Sequence, residues 1–352
     1  MAKLFYHSKP ILGLDIGQTG IKVMAVDPKK WLVTGYGSAE LDPEKVQVSL
    51  ENSDDYYLSD SIRSLMTEKL IGVLPTDHVA LSVPTSRTFS RTFTIPVKAE
   101  SSLANAVEVE VDQYIPIPMS SLYVDYEIIE RTKEELTVIM AAVPKTLVDR
   151  CMAIAVQAGL QPVMIEPSIN SVARVLEATE EGHLTTLIID IGPAATDIAV
   201  LSKGAIRVSG GLGIGGNTFT LDIAKKLGVP LDNAHQLKVL NGLSAGPRQA
   251  KIVTAMGPSL QRILTEVRKV IRYYNERLGE ENKLEQVLVV GGGSNVPGIG
   301  DYFTNELVMP ARVASPWQKL DFGQLPQPAK QFRPRYITVA GLASIDQGNL
   351  WK

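Results

Sequence analysis

The sequence predicts an α/β protein of two related lobes, the first interrupted by a small inserted α+β module. Three observations carry that prediction. At 352 residues the chain exceeds the size at which one hydrophobic core keeps growing, so more than one lobe is expected. Apolar runs of strand length alternate with stretches of helical periodicity, the pattern of sheets packed with helices. The opening three-strand pattern then returns. Asp15-Ile16-Gly17 and Asp190-Ile191-Gly192 lie 175 positions apart, and in both copies four residues separate the glycine from a charged residue, Lys22 or Asp197. Two such triplets in matching strand contexts mark an internal duplication.

The elements follow in order. "ILGLDI", "IKVMAV" and "WLVTGYGS" read as strands joined by glycine-containing and Asp-Pro turns. The polar stretch "ENSDDYYLSD" leads into a helix near 61–70, and "HVALSVP" is a buried strand. Between 85 and 145 the composition changes to the alternating strand "SRTFSRTFTI", a helix near 100–113, and the strands "LYVDYEIIER" and "ELTVIMAAV". This is the inserted module. The helix "KTLVDRCMAIAVQAG", the strand "QPVMIEP" and a helix over 171–178 complete the first lobe. "LTTLIIDI", "TDIAVLSK" and "AIRVSGG" repeat the opening strands, and a helical block near 218–278 precedes the strand "EQVLVVGG". The division expected is 1–84 with 146–180 for lobe one, 85–145 for the insert, 181–211 with 286–352 for lobe two, and 212–285 for its helical subdomain.

Composition narrows the function classes. Lys and Arg number 35 against 38 Asp and Glu, for a net charge of -3, and no basic run tracks a phosphate backbone, which argues against nucleic acid as a partner. Hydrophobic residues at 45%, charged residues at 21% and a mean hydropathy of +0.06 fit a soluble globular chain. "MAKLFYHSKP" has no signal-like apolar core, and no segment reaches the ~18 apolar residues of a membrane span, so a cytoplasmic address is expected. The single cysteine, Cys151, falls on an apolar helical face with Leu147, Val148 and Ala155 and reads as a buried structural thiol.

The repeated turns carry the chemistry. A strand that ends in Asp-Ile-Gly and returns through small residues (Gly17, Gln18, Thr19, Gly20; then Gly192, Ala194, Ala195, Thr196) brings backbone N–H groups to an unobstructed tip that can wrap a phosphate. Asp15 and Asp190, just before the tips, suit Mg²⁺ held through water beside that phosphate. One such turn alone reads better as a plain glycine hairpin. Two of them suggest a triphosphate clamp. "GGLGIGGNTFT" adds Gly215, Gly216 and Asn217 at a helix start whose amides suit an anion. In "VLVVGGGSNVPGIG", Gly291, Gly292, Gly293 and Ser294 let a flat ring lie against the backbone.

Two rival motifs fail on context. Gly211 to Gly216 satisfies G-x-G-x-x-G, but Asp232 follows Pro230 in an expected loop rather than ending a strand. Gly293 to Gly298 has P-loop spacing with Ile299-Gly300 where Lys-Ser/Thr should stand. The helix "PSLQRILTEVRKVIRYYNERLG" carries an apolar stripe from Leu260 to Leu278, and on another face Arg262, Glu266, Lys269, Tyr273 and Glu276, a pattern of solvated ion pairs.

Taken together, "LDIGQTGIKV", "IDIGPAATDIAV", the "GIGGN" turn and "LVVGGGSNVPG" resemble, in order, the phosphate and adenosine motifs of the actin/hexokinase/DnaK-type ATPase superfold, which has duplicated ribonuclease-H-like lobes. The resemblance implies ATP and Mg²⁺ between two hinged lobes. It places Asp15 and Asp190 by the metal, Lys22 beside the first phosphate turn, and Glu166 as the acid that orients water. It makes Glu266 and Lys269 the adenosine-contacting pair, and "MIEPSINSVARV" and "YITVAGLASI" the helices between lobes. An insert after the fourth strand is the arrangement of FtsA and of the PilM family of type IV pilus assembly. "RTFTIPVKAESSLANAVEVEVDQYIPIPMSSLYVDYEII" is similar to the PilM subdomain, with Ile117 where that family usually has Phe. FtsA adds a C-terminal amphipathic helix, whereas this sequence finishes "DQGNLWK".

The family implies an ATP-binding adaptor at the cytoplasmic face of the inner membrane. Its partners there are the short N-terminal tail of a PilN-like membrane protein and other pilus platform and motor proteins. The tail lies in a groove between the first lobe and the insert, near "SRTFSRTFTI" and the 100–114 helix. Pro193 removes one amide donor from the second phosphate turn, so weak ATPase turnover is expected. The alternatives are an FtsA-like filament former, with self-association left open, and a small-molecule kinase, for which no acceptor base stands out beyond Glu166.

Overall fold

The computed structural model describes residues 10–180, 184–244, 246, 249–278 and 283–345; the readings of the first nine residues and of "DQGNLWK" lie outside them. Lobe one opens with β1 (Leu12–Gly17), β2 (Gly20–Asp27) and β3 (Leu32–Glu40). It continues through α1 (Pro43–Glu51), α2 (Tyr57–Glu68), β4 (Ile71–Gly72) and β5 (His78–Val83). The insert follows as β6 (Phe89–Pro96), α3 (Leu103–Tyr114), β7 (Leu122–Arg131) and β8 (Glu135–Pro144). The chain then returns to lobe one with α4 (Lys145–Gln157), β9 (Gln161–Pro167) and α5 (Ser168–Thr179).

Lobe two repeats the plan with β10 (Thr186–Ile191), β11 (Thr196–Ser202) and β12 (Ala205–Leu212). After these come α6 (Gly216–Leu227), α7 (Leu231–Leu240), α8 (Gln249–Arg277), β13 (Gln286–Val290), α9 (Ile299–Leu307), β14 (Ala311–Val313) and α10 (Ile337–Ala343). The first sheet runs β4-β3-β2-β1-β5-β9 and the second β12-β11-β10-β13-β14. In both, an antiparallel meander of three strands is extended by parallel pairing on one side. The duplication read from two triplets is therefore a duplication of sheet topology. The insert has its own three-stranded sheet, β6-β8-β7, with Leu103, Val107 and Val111 of α3 packed on Leu136, Val138 and Met140.

Side chains alternate across each strand, and the two faces of each sheet find different partners. Leu12, Leu14, Ile21 and Val23 face outward onto α2 and α4, where Cys151 is buried as expected. Leu187, Ile189, Ile198 and Val200 face outward onto α6 and α8. The opposite faces, with Met24, Val26, Ile188 and Ala199, close on α5 and α10, which lie between the sheets. These helices approach closely through glycine. A Cβ on Gly341 would stand 2.0 Å from the Ser171 carbonyl oxygen, and one on Gly13 would stand 2.2 Å from that of Val339.

Three elements differ from the sequence reading. Residues 43–51, to which the sequence reading gives no element, form α1, capped by Asp42, whose carboxylate accepts from the Glu44 and Lys45 amides. Only Val46 and Ser49 of α1 are buried, so it lacks a full apolar stripe. Buried Arg150 anchors it instead, donating to the carbonyls of Ser49 at 2.7 Å, Ser53 at 3.3 Å and Asp55 at 2.9 Å. The long helix α8 starts before Pro258 rather than at it; Ile252, Ala255 and Met256 on the earlier turns join the lobe-two core and offset the hydrogen bond that proline removes. Asp232 lies in the first turn of α7, not in a loop. Among the described residues, no helix is long and apolar enough to cross a membrane.

Candidate functional site

Strand register places the two hairpins in equivalent positions. Asp15 lies opposite Lys22 on β1 and β2, and Asp190 opposite Asp197 on β10 and β11. By strand alternation all four occupy the faces turned toward α5, α10 and the other lobe. Lys22 Nζ donates to Asp15 Oδ2 at 2.8 Å, and Ser82 Oγ, near the end of β5, donates to Asp15 Oδ1 at 2.7 Å. In lobe two, Ser168 Oγ, the first residue of α5, donates to Asp197 Oδ2 at 2.6 Å, and the Thr85 hydroxyl lies 3.1 Å from that of Ser168. The second Asp197 oxygen, Oδ1, is buried with no hydrogen-bond partner.

The electrostatics follow from this crowding. Desolvation, then the charges of Asp197 and Asp15, push the Asp190 carboxyl up to about 7 against the pull of Lys22. Asp197 is also raised, chiefly by desolvation. Three coupled carboxylates against one lysine leave surplus negative charge in a partly buried place, an oxygen donor set that a hard divalent cation relieves. Among the described residues no three acidic, His or Cys side chains converge tightly enough to grip a metal directly. The residues therefore fit Mg²⁺ held through water and through the oxygens of an anionic ligand.

Backbone geometry shapes the rest. Gly291, at the end of β13, has φ of +79°, and a Cβ there would stand 2.1 Å from Asp190 Oδ1. Both constraints demand glycine. Gly293 packs on the Ile191 side chain, and Gly292 has open space where a Cβ would be. Ser294 Oγ turns back to the Gly291 carbonyl at 2.7 Å. In the first turn, Gln18 is exposed at the tip while Gly17 and Gly20 pair at its base, and the Thr19 carbonyl accepts from the Leu41 amide at 3.1 Å.

The second turn is braced differently from the expectation. Gly192 N donates to the Ala195 carbonyl at 2.9 Å, leaving Pro193 and Ala194 at the tip. The amides of Gly216 and Asn217, expected to face an anion, donate instead to the carbonyls of Gly192 and Pro193, at 2.9 and 2.8 Å. The Thr196 hydroxyl is likewise engaged, by the Ile214 carbonyl at 2.7 Å. Gly215 could bear no side chain, since a Cβ would lie 2.4 Å from the Gly192 oxygen. The "GIGGN" turn thus holds the 192–196 hairpin turn in shape.

Two further expectations meet a different geometry. Glu166 is 5% exposed, and both its oxygens are taken by Arg174, at 2.8 and 2.7 Å, while Arg174 also donates to the Gly341 carbonyl at 2.8 Å. Glu166 is next to Ser82 across β5 and β9, so it borders the site as a bound anion rather than a free base. Glu266 and Lys269 lie on α8, on the far face of the second sheet from Asp190 and Asp197. They pair with each other at 2.9 Å and line a groove of about 530 Å³ against the insert, with Ser90, Arg91, Tyr114 and Gly210. That groove lies beside the "SRTFSRTFTI" strand, and its other wall is β12 and α8 of lobe two.

A family model described as "Type IV pilus assembly protein PilM" matches residues 13–345. The chain belongs to the PilM family. Curated relatives include the cell division protein FtsA of Neisseria meningitidis serogroup B, 27% identical over 210 residues that cover 53% of this chain and 49% of that protein. FtsA of Escherichia coli K12 is 28% identical over 188 residues, covering 46% and 44%. The matched region thus spans about half the length of these relatives. Among solved structures, the PilM-PilN type IV pilus biogenesis complex superposes with a TM-score of 0.78 at 22% identity, covering 95% of this chain and 98% of that one. MreB5 of Spiroplasma citri bound to ADP gives 0.54 at 14% identity, covering 98% of both. The EutJ protein of Carboxydothermus hydrogenoformans gives 0.54 at 17%, covering 96% and 90%. The fold is the two-lobed actin-like ATPase fold with the PilM-type insert.

Within this PilM-family chain several site residues escape sequence reasoning. Ser82, Thr85 and Ser168 are single hydroxyls in unremarkable contexts, recognisable only once β5 and α5 are brought beside Asp15 and Asp197. Lys238 left a better signal. It sits four residues after Ala234 on the apolar side of α7, and both are buried. Its Nζ donates to the Gly216 carbonyl and to Thr220 Oγ1, each at 2.8 Å, and burial brings it down to about 8. A lysine at an apolar helical position is the clue that such a group is held inside.

Proposed function

We propose that this chain is a Mg²⁺-ATP-binding adaptor of the type IV pilus inner-membrane platform, acting on the cytoplasmic side through the short cytoplasmic tail of a PilN-like protein. The observation that carries the nucleotide half is that two register-matched hairpins set Asp15 and Asp197 within electrostatic reach of Asp190, beside a glycine turn that accepts no side chain at Gly291. When bound, Mg²⁺ supplies the positive charge that lets phosphate oxygens lie among these carboxylates. Asp15 and Asp190 would hold its water shell, the turns 17–20 and 192–196 would wrap the phosphates, and Gly291 to Ser294 would face the base. Lys22, tied to Asp15, balances the charge of the site.

Turnover is a secondary matter in this reading. Glu166 is buried and bonded to Arg174 at both oxygens, a pairing that commits the carboxylate to the guanidinium rather than to an attacking water. The nucleotide then serves as a bound state rather than as fuel. The partner half rests on PilM-family membership and on the likeness to the PilM-PilN complex. A surface for a tail peptide runs along the lobe-one side of the insert. There Tyr123 OH donates to Asp149 at 2.9 Å, and Tyr123, Met152 and Val156 are exposed beside it. Asp149, Met152 and Val156 share one face of α4 at helical spacing. The test is fluorescence anisotropy with a labelled PilN-type tail peptide. Saturable binding, weakened at least tenfold by Met152→Glu with Tyr123→Ala and unaffected by sugars or other phosphate acceptors, supports the adaptor. ATP consumption stimulated by a small acceptor would instead make the chain a kinase.

A further inference from the structure

The insert belongs to lobe one by its chain connections, yet it is bonded to lobe two along its length. At its root Thr85 closes the hydroxyl pair with Ser168, which donates to Asp197 Oδ2 at 2.6 Å. The next residue, Ser86, lies against Gly211 of β12 so closely that a Cβ on Gly211 would stand 3.2 Å from the Ser86 amide. Further out, the Thr92 hydroxyl of β6 donates to the Arg207 carbonyl of β12, and Tyr273 OH of α8 donates to the Thr92 carbonyl at 3.3 Å. At the far end Glu130 of β7 receives Lys203 at 2.8 Å and Arg207 at 3.1 Å. β6 and β12 are each the edge strand of their sheet, so the two edges run beside each other with the 530 Å³ groove between them.

We propose that the insert is an inter-lobe latch, closed by Glu130 on Arg207 and Lys203 and by Thr92 on β12, that carries the state of the nucleotide site to the partner-binding insert. The inference rests on the nucleotide reading above and deepens it. The lobes are also joined by α5 and α10, packed between the sheets, and by residues 321–326, which bond to Trp31, Val33 and Tyr36 of lobe one; a change in the angle of the cleft that moves the insert would displace β6 along β12. Arg207 is only 5% exposed and Thr92 4%. Sliding would strand a buried guanidinium without its carboxylate, a costly intermediate, so the junction favours the fully made or the fully broken arrangement over a continuous slide. The signal has a short route inward. A ligand that acts on the charge of Asp197 acts on a carboxylate already bonded, through Ser168, to Thr85 at the root of the insert.

Amide hydrogen exchange on the full chain, with and without Mg²⁺-ATP, tests this against a Glu130→Gln, Thr92→Val double variant and a milder Lys203→Gln variant. In the parent, Mg²⁺-ATP is expected to slow exchange at least fivefold at residues 13–20 and 190–196, and also at 88–96 and 122–131 of the insert. In the double variant the hairpins keep that protection and the insert loses it, and in Lys203→Gln the insert's response shrinks. Protection of the hairpins with no change in the parent's insert overturns the latch and leaves the nucleotide reading standing. An insert response undiminished in both variants overturns it as well. No protection at the hairpins overturns the nucleotide reading, and the latch with it.

Discussion

Asp190 concentrates the electrostatics of the site, and its titration gives a prediction with a definite sign. The unfolded carboxyl titrates near about 3.9, while the folded one is pushed up to about 7 by desolvation and then by Asp197 and Asp15. Below about pH 4 the group has no effect on folding. Between about 4 and about 7 it opposes folding increasingly, and above 7 the penalty is complete. The metal-free protein should therefore lose thermal stability as pH rises across that window. Asp190→Asn should flatten the trend and raise the melting temperature at pH 8 by a few degrees, read by circular dichroism. Added Mg²⁺-ATP should restore the parent and barely affect the variant. Gly291→Ala tests the backbone beside it. With φ at +79° and Asp190 Oδ1 2.1 Å from the added carbon, the variant should fold with a loss of about 1–3 kcal/mol in chemical denaturation and lose Mg²⁺-ATP affinity at least tenfold. At the same scale Cys151, buried and pushed up to about 11 by desolvation, should resist a thiol reagent at pH 8 until the protein is unfolded.

Among the elements, the paired hairpins were the most legible part of the sequence because two constraints coincide in them. Each needs an apolar strand on its outward face and an acid followed by small residues at its tip, so the pattern survives in a few letters. The braces behind them were not legible. The engagement of the Gly216 and Asn217 amides by the second turn depends on how α6 meets β10, and no local preference encodes that. The helix α1 was missed because a side chain far away in sequence, Arg150, holds it in place of an apolar stripe. The adenosine-contacting role expected of Glu266 and Lys269 meets a different geometry for a related reason. A pair at i,i+3 spacing looks the same on any helix, and only the sheet between α8 and Asp190 separates them from the site. The crossing of α5 and α10 makes the sharpest prediction at this scale. Gly341→Leu, with its Cβ forced to within 2.0 Å of the Ser171 oxygen, should wedge the connecting helices apart. It should lower stability by several kcal/mol, beyond the ~1–3 typical of overpacking, with a matching fall in nucleotide affinity.

For the molecule as a whole, the two-lobed architecture and the position of the insert were readable from strand order alone, and they led to the same family that the whole-chain match gives. What chain order could not convey is which neighbours the insert has. It touches lobe two through Thr92 and Glu130, and the latch proposed above rests on those contacts rather than on chain order. The capture of Glu166 by Arg174 sets the expected chemistry of the whole: retention of nucleotide with slow turnover. Arg174→Met should free that carboxylate and raise the single-turnover ATP cleavage rate. Its own stability loss, from a buried carboxylate left without its cation, would show separately in a melting curve. The central claim, that the duplicated hairpins clamp Mg²⁺-ATP, is tested most directly by calorimetric titration of ATP into the parent chain and Asp15→Asn, with and without Mg²⁺. Binding that requires Mg²⁺ and weakens at least tenfold in the variant is the result predicted. ATP binding indifferent to both Mg²⁺ and Asp15, or no binding by the folded parent chain, would contradict it.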